Sequence, residues 1–308
     1  DTADDVPTAG ILGPKILGWH DQRLLLEVGA SVTGTGTRFT GLERREHDQG
    51  QHDGVRPVLS VSSAGMLVRR DVWEHLAGLD SRLPLFRDDL DFCWRAQQSG
   101  EQVLIATDAV LHHREAAANG QRADSLVGRA HRADRQAAAQ VLLAHARGIG
   151  AFGIWVRLVA GGLVRSLTYA LGKDVATARD ELLALLDVLI HPGRTRASRR
   201  LVMATARYPS SIVSDLRPSS WHQFREWLGE VGGRLTTSGA TADAAVSALE
   251  SGPSDDAAAF LDSGPGLVRR LLTRPGVLLF AGLTLVSVAA TRTLWLGQGV
   301  LQGGGLLP

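Results

Sequence analysis

The densest group of side chains that could do chemistry is a run of carboxylates. Asp88, Asp89 and Asp91 fall within four positions and follow the apolar stretch 84–86. Like charges this close raise each other's pKa, which suits a general base. Acidic residues in the first turn of a helix also complement the helix dipole. Spacing alone therefore leaves a catalytic and a structural interpretation open.

Two adjacent histidines form a second candidate. His112 and His113 follow a predicted strand, and either imidazole could bind a divalent cation. A histidine pair at the surface more often has no such role. A third candidate, the run 43–53, mixes Glu, His, Asp and Gln but repeats no ligand spacing. A solvated loop is the favoured interpretation of this run, and a mobile lid over a site is the alternative.

The elements that must position these side chains alternate between strand and helix over residues 1–122. Short apolar, β-rich runs bounded by turn residues predict strands, and polar starts followed by Gly predict helices. Residues 29–56 are rich in Gly, Thr and charge, which predicts a long loop. The predicted strands are 10–17, 24–28, 58–68, 102–106 and 109–111, and the predicted helices are 72–77 and 88–100.

The next region, residues 123–208, is predicted to be helical and to lie at a membrane surface. Residues 149–171 are apolar, but Arg157 and Arg165 interrupt them. Two arginines near the centre of a membrane span would be costly. An amphipathic helix in the membrane interface is therefore favoured over a span.

The last two regions are predicted to be a linker and a membrane anchor. Residues 209–273 are rich in Ser, Gly, Ala and Pro, which predicts a flexible linker with one short helix. Residues 274–308 contain 17 consecutive uncharged residues, 275–291, at the short edge of the roughly 17–25 that span a bilayer. Arginines just before them predict that the N-terminal side is cytoplasmic. A buried core helix is the alternative.

Composition excludes several classes. The formal net charge is +1, so nucleic-acid binding through a basic surface is not expected. The single cysteine, Cys93, excludes an intrachain disulfide framework and a cysteine-built zinc site. Residues 1–10 have acidic groups and no apolar run, so no signal peptide is predicted there.

Five short motifs follow one another in a distinctive order. They are Gly-Pro-Lys at 13–15, Ser-Ala-Gly-Met at 63–66 with Asp-Val at 71–72, Ala-Gly-Leu-Asp at 77–80, Phe-Arg-Asp-Asp-Leu-Asp-Phe-Cys-Trp-Arg at 86–95, and Ala-Val-Leu-His-His at 109–113. This order resembles the second half of a family 2 glycosyltransferase with the GT-A fold. The similarity is greatest to actinobacterial membrane-attached members and to rhamnosyl- and galactofuranosyltransferases. It covers about residues 8–122 and is specific in order and spacing.

The resemblance implies a fold and a set of roles. The fold would be α/β, a partial GT-A with a Rossmann-like mixed sheet, followed by interfacial helices and a transmembrane helix. Asp89 would be the catalytic base with Asp88 beside it. His113, or less favourably His112, would bind a divalent cation, Mg²⁺ or Mn²⁺.

The same resemblance assigns the acceptor side of the site. Gly65 would lie under the acceptor, and Met66 and Trp94 would be further acceptor-binding residues. Burial of Trp94 and Phe92 is also expected. The nucleotide-binding half of the family, with its Asp-x-Asp metal motif, is expected to precede residue 1, so cofactor-binding residues stay unassigned.

The implied function is inverting transfer from a nucleotide-sugar donor to a cell-envelope glycan at the cytoplasmic face of the membrane. The acceptor would be linked to a polyprenol or to the cell wall, because interfacial helices would hold the site at the leaflet. A catalytically inactive, membrane-anchored docking module is the alternative from another class. A metal hydrolase built on the aspartates and histidines is a third, less favoured interpretation.

Overall fold

A computed structural model describes residues 2–43, 45–83, 86–114, 130–171 and 175–218. The predicted linker beyond residue 218 and the predicted transmembrane helix at 274–308 lie outside the described residues.

The described chain begins with alternating strands and helices and continues with helices. The strands are β1 (Ala9–Gly18), β2 (Leu25–Glu27), β3 (Ser31–Val32), β4 (Arg38–Phe39), β5 (Val55–Pro57), β6 (Leu67–Val68) and β7 (Gln102–His113). The helices are α1 (Thr2–Asp5), α2 (Arg70–His75), α3 (Asp88–Ser99), α4 (Ala130–His145), α5 (Ile149–Leu171), α6 (Val175–Ile190) and α7 (Pro192–Thr205), followed by a 3₁₀-helix at Ser210–Leu216.

The main sheet is mixed, with β1 and β7 at its centre. These two long strands run parallel, β2 and β6 pair antiparallel with β1, and β5 pairs antiparallel with β7. Every residue of β1 is buried, as expected for a central strand covered on both faces. The prediction of an α/β fold with a mixed sheet is confirmed.

Three details of the strand prediction are wrong. Residues 29–56 contain β3, β4 and the start of β5, which are only two or three residues long and so too short to show a strand period. Of the predicted strand 58–68 only 67–68, β6, is strand, because the chain turns at 62–65, where the Gly65 N–H donates to the Ser62 carbonyl oxygen. The predicted pieces 102–106 and 109–111 form the single strand β7, because its register against β1 shifts where Pro14 pairs with Ala106 and Lys15 with Val110. The residues between the two pairs bulge without ending the strand.

Helix α3 lies between two hydrophobic cores, and ten of its twelve residues are buried. One core joins the sheet to α2 and to Phe92 and Cys93 on α3. The other joins Leu90 and Trp94 on α3 to α4 and α5. Because α3 is covered on both sides, the polar groups on it must find partners inside the protein.

Helix α5 has one packed face and one exposed apolar face. Leu158 and Tyr169 are buried, whereas Phe152, Leu163 and Leu167 are more than half exposed. Among the described helices, α5 holds the one segment long and apolar enough to cross a membrane, Gly150–Ala170, of which 17% is buried. The core helix of a soluble protein can be equally long and apolar, but it would be mostly buried, whereas little of this segment is buried.

The two arginines of α5 differ in surroundings. Arg157 is exposed. Arg165 contacts the carboxylate of Glu181 on α6, with nitrogen–oxygen distances of 3.1 and 3.2 Å. His131 of α4 contacts the same carboxylate at 3.1 Å. Burial would raise the pKa of Glu181, but these partners outweigh it and lower the pKa to about 2. Glu181 therefore joins α4, α5 and α6 as an ionised buried group.

Candidate active site

The acidic run begins helix α3 in an unusual backbone conformation. Arg87, just before the helix, has φ 63°, a region that non-glycine residues seldom adopt. Its guanidinium donates two hydrogen bonds, at 2.6 and 2.8 Å, to the carboxylate of Asp134 on α4. Both side chains are buried. Helix α4 therefore holds the turn that sets the direction of the following carboxylates.

The first two aspartates of α3 differ in their surroundings. Asp89 is 5% exposed, and its Oδ1 accepts a hydrogen bond of 2.7 Å from the backbone N–H of Leu90. Asp88 is less buried, and its Oδ1 accepts one of 3.0 Å from the N–H of Asp89. Both carboxylates satisfy N–H groups of the first helical turn. The dipole interpretation and the catalytic one therefore remain compatible.

The second oxygen of Asp89 faces a buried arginine. Arg38 Nη1 of β4 lies 3.7 Å from Asp89 Oδ2. The other terminal nitrogen of Arg38 donates to the carboxylate of Glu27 on β2. Strands β2 and β4 and helix α3 thus bring two carboxylates to one guanidinium. We call Glu27, Arg38 and Asp89 the buried charge triad.

Glu27, Arg38 and the neighbouring Asp88 have shifted pKa values. Burial raises the pKa of Glu27, and the charge of Arg38 opposes that effect. Burial would lower the pKa of Arg38, but Glu27 and then Asp89 outweigh it, so this pKa is raised. Burial and the adjacent Asp89 raise the pKa of Asp88. Raised carboxyl pKa values in an enclosed site are typical of acid–base chemistry and also of structural ion pairs.

The β3–β4 hairpin that carries Arg38 rests on the helices. Thr33 and Thr37 close the hairpin through two hydrogen bonds of 2.9 and 3.0 Å. Gly36 in the turn has φ +87°, and a Cβ there would lie 3.3 Å from Ala138 of α4. The hairpin tip therefore packs closely against α4, which fixes the position of Arg38.

The third aspartate has a structural environment. Asp91 is 1% exposed and accepts hydrogen bonds from Arg95 Nε at 2.7 Å and from the ring of His145 at 3.0 Å. Arg95 also donates to the carbonyl oxygens of Leu76 and Gly78. Burial would raise the pKa of Asp91, but His145 and Arg95 together lower it. Asp91 therefore neutralises a buried arginine.

The predicted acceptor residues Gly65 and Met66 lie in a turn beside β1. A Cβ on Gly65 would lie 2.6 Å from Pro14 Cγ, so close packing explains the glycine at this position. Met66 packs against the core between the sheet and α2. Both residues are partly exposed, and their contact with an acceptor stays a prediction.

The third predicted acceptor residue, Trp94, lies in the protein interior. It is 2% exposed, and its ring stacks on that of His145 with centroids 4.3 Å apart. The guanidinium of Arg217 covers it at 5.4 Å. The expected burial of Trp94 and Phe92 is confirmed. These contacts explain Trp94 as a packing residue, and its proposed contact with an acceptor is not needed to account for it.

The two histidines end strand β7. His113 pairs with Gly18 of β1 and is partly buried. His112 is exposed, and its Nδ1 lies 3.2 Å from the carbonyl oxygen of Gly18. No group of three or more His, Cys, Asp or Glu side chains that could hold a metal ion occurs among the described residues. The part of the chain in the structure therefore does not form a complete metal site.

The polar run 43–53 is attached to β1 through Lys15. The Lys15 ammonium is buried and donates to Asp48 at 3.0 and 2.8 Å and also to Asp53. Burial would lower the pKa of Lys15, but the two carboxylates outweigh it and raise the pKa. The run is thus held by the buried ammonium of Lys15, which explains Asp48 and Asp53 without a metal.

Sequence reasoning missed three residues of this site, Glu27, Arg38 and Asp134. Glu27 ends a strand, Arg38 falls in the predicted loop, and Asp134 falls in an Ala-rich helix. None belongs to a local motif, because each acquires its role through a partner distant in sequence. An isolated charge in an otherwise apolar stretch, as at Glu27, is the one signal that could have indicated burial with a partner.

Comparison with known proteins identifies the class of this domain. Residues 12–141 match the family model described as glycosyltransferase-like family 2. The resemblance to family 2 glycosyltransferases noted from the motifs is confirmed over this range. The matched range includes the buried charge triad and Asp134. No curated protein and no solved structure matches the chain.

Proposed function

We propose that this protein is an inverting glycosyltransferase in which Asp89 is the general base. The family 2 domain supports glycosyl transfer in general. In the proposed reaction, a hydroxyl of the acceptor gives its proton to Asp89 while its oxygen attacks the anomeric carbon of the donor sugar. The bond from that carbon to the departing nucleotide diphosphate breaks in the same step.

The observation that supports this proposal most directly is the state of the Asp89 carboxylate. One oxygen is held by the Leu90 N–H, and the other faces Arg38 at 3.7 Å, beyond the 2.7–3.2 Å range of a hydrogen bond. The second oxygen can therefore accept a proton while the first fixes its direction. Asp91, by contrast, is fully occupied by Arg95 and His145.

We extend the proposal to the substrates and the membrane. The donor would be a nucleotide sugar of the hexosyl, rhamnosyl or galactofuranosyl type, and the acceptor a polyprenol-linked or cell-wall glycan. The exposed apolar face of α5 supports contact with a lipid surface; the cytoplasmic side is part of the proposal. If so, a fragment of residues 1–218, without the predicted membrane helix at 274–308, floats with anionic vesicles, and its Leu163→Ser/Leu167→Ser variant floats markedly less. Equal flotation of the two proteins would remove α5 from the proposal.

The proposed divalent cation, Mg²⁺ or Mn²⁺, would have His113 as one ligand. The described residues do not complete a site for it, so no step of the reaction is assigned to a metal here. Replacement of His113 by Ala should weaken binding of Mn²⁺ to the intact protein, as measured by electron paramagnetic resonance. Unchanged Mn²⁺ binding would exclude His113 as a ligand.

The experiment that tests the function compares two aspartates at helix starts. Asp89→Asn should lower turnover by about 10²–10⁴-fold because the base is lost. It should lower the melting temperature much less than Asp91→Asn does, since an amide oxygen can still accept from Leu90 and Arg38 keeps its contact with Glu27. Asp71→Asn is the matched control, because Asp71 lies in the first turn of α2 and is exposed.

The outcomes separate the alternatives. Near-normal turnover of Asp89→Asn would contradict the proposal, and loss of activity in Asp88→Asn instead would transfer the role to Asp88. An intact parent protein that binds the membrane but neither hydrolyses nor transfers sugar from any nucleotide sugar would indicate an inactive docking module.

A further inference from the structure

In the buried charge triad, one guanidinium lies between two carboxylates and contacts them unequally. Arg38 gives its hydrogen bond to Glu27 and stays 3.7 Å from Asp89. Arginine–carboxylate pairs frequently form two parallel hydrogen bonds, but Arg38 and Asp89 do not. Here the residue with the short contact is Glu27, and the oxygen of Asp89 is left outside hydrogen-bonding range.

All three side chains are enclosed, so this arrangement is not averaged by solvent. The side chains of Glu27, Arg38 and Asp89 are 10%, 18% and 8% exposed. Buried charges interact more strongly than exposed ones because water screens them less. Displacement of Arg38 by a few tenths of an ångström toward Asp89 would therefore change the basicity of that carboxylate.

We propose that Glu27 is a positioning residue that holds Arg38 away from Asp89, so that Arg38 favours the ionised carboxylate without occupying its proton-accepting oxygen. The inference rests on the proposed role of Asp89 as the base. It adds two residues, Glu27 and Arg38, to the transfer reaction and assigns them opposite effects on Asp89. Neither residue belongs to the motifs from which the function was predicted.

Other charged groups surround Asp89 and must be held constant. Asp88 precedes it on α3, and Cys93, one turn further along α3, also interacts with it. The buried carboxylate of Asp134 on α4, paired with Arg87, acts electrostatically on Arg38. Arg135 follows Asp134 on α4 and is also buried. Substitutions in the triad leave these groups in place. Their contribution is therefore common to every variant compared.

The two substitutions should move the protonation of Asp89 in opposite directions. Glu27→Gln removes a negative charge and releases Arg38 to bond with Asp89, which weakens the base. Arg38→Met removes the positive charge and leaves Glu27 nearby, which makes protonation easier. An opposite charge within about 4–6 Å lowers a carboxyl pKa by about 1–3 in general, so a displacement of one pH unit or more is expected.

The test measures Asp89 itself and then the reaction. The intact protein is labelled with ¹³C at the aspartate carboxyl carbons, and the Asp89 signal is identified by its loss in Asp89→Asn. Its titration midpoint should fall in Glu27→Gln and rise in Arg38→Met. In the transfer assay, the acid limb of the kcat/KM profile should move in the same two directions.

Several results would overturn the inference. Equal midpoints in the parent and in Glu27→Gln would show that Glu27 does not act on Asp89, and a common direction in both variants would indicate a merely structural effect. If Arg38→Met does not fold, Arg38→Lys replaces it and must raise the midpoint by a smaller amount. If Asp89→Asn is fully active while the midpoints move as expected, the proposed function fails and the electrostatic coupling stands.

Discussion

Replacement of Asp91 by Asn should destabilise the protein more than any other single change in the acidic run. Asp91 is 1% exposed and accepts from Arg95 at 2.7 Å and from His145 at 3.0 Å. Arg95 has no solvent exposure, so its charge cannot be hydrated when the carboxylate is lost. Removing one partner of a buried ion pair costs about 3–5 kcal/mol.

The magnitude is large enough to measure by simple unfolding. A loss of about 3–5 kcal/mol lowers the melting temperature of a domain of 150–250 residues by about 6–20 °C. Urea unfolding followed by near-ultraviolet circular dichroism reports on it directly, because the Trp94 ring stacks on His145. Asp71→Asn, at the exposed start of α2, should leave the midpoint unchanged.

A small effect would refute this reasoning. If Asp91→Asn unfolds within about 1 kcal/mol of the parent, then the hydrogen bonds from Arg95 to the carbonyls of Leu76 and Gly78 are sufficient for a buried guanidinium. The same result would weaken the argument that α3 depends on α4 through His145. Asp91→Asn could then serve as a second control for Asp89→Asn.

Two further predictions concern pH and packing. Burial lowers the pKa of His145 below 6.5, although Asp91 opposes this effect. As the pH decreases below about 6.5, the unfolded chain therefore takes up this proton first and the stability of the fold falls. In melting curves recorded over a series of pH values, a His145→Gln variant should lose this dependence of stability on pH, and an unchanged dependence would contradict the assignment. Gly65→Ala should lower the free energy of unfolding by about 1–3 kcal/mol, because the new Cβ would lie 2.6 Å from Pro14. Gly153→Ala, which has open space around it in α5, should raise the same free energy by about 0.5–1 kcal/mol. Urea unfolding measures both.

Much of the sheet and of α3 could be predicted from the sequence because their signals are local. The apolar run 10–17 is a long, fully buried strand, and the end of α3 is marked by Gly100 with φ +102°. Strands of two or three residues have no period to read. The β3–β4 hairpin, which carries Arg38, was therefore predicted as loop.

The candidate site also has a part that the sequence predicts and a part that only the folded chain shows. The motif order identified the family and the acidic run, and both depend on residues close together in the chain. The triad depends on a strand end, a hairpin and a helix start that meet only when the chain is folded. Glu27 and Arg38 are ordinary charged residues in sequence, and their burial beside Asp89 is what distinguishes them.

The conformation of the acidic motif depends on helix α4, which lies outside the motif in sequence. Asp134 and His145 are eleven residues apart, which is about three helical turns, so they lie on one face of α4. That face contacts Arg87 before α3 and Asp91 within it. Each contact neutralises or orients a charge that α3 buries. The direction of Asp89 is therefore set from two sides, by α4 through Arg87 and by the β3–β4 hairpin through Arg38, and α4 also supports that hairpin at Gly36. If Asp89 is the base, as proposed, then changes in α4 that never touch Asp89 should still lower activity, because α4 supports both of these contacts.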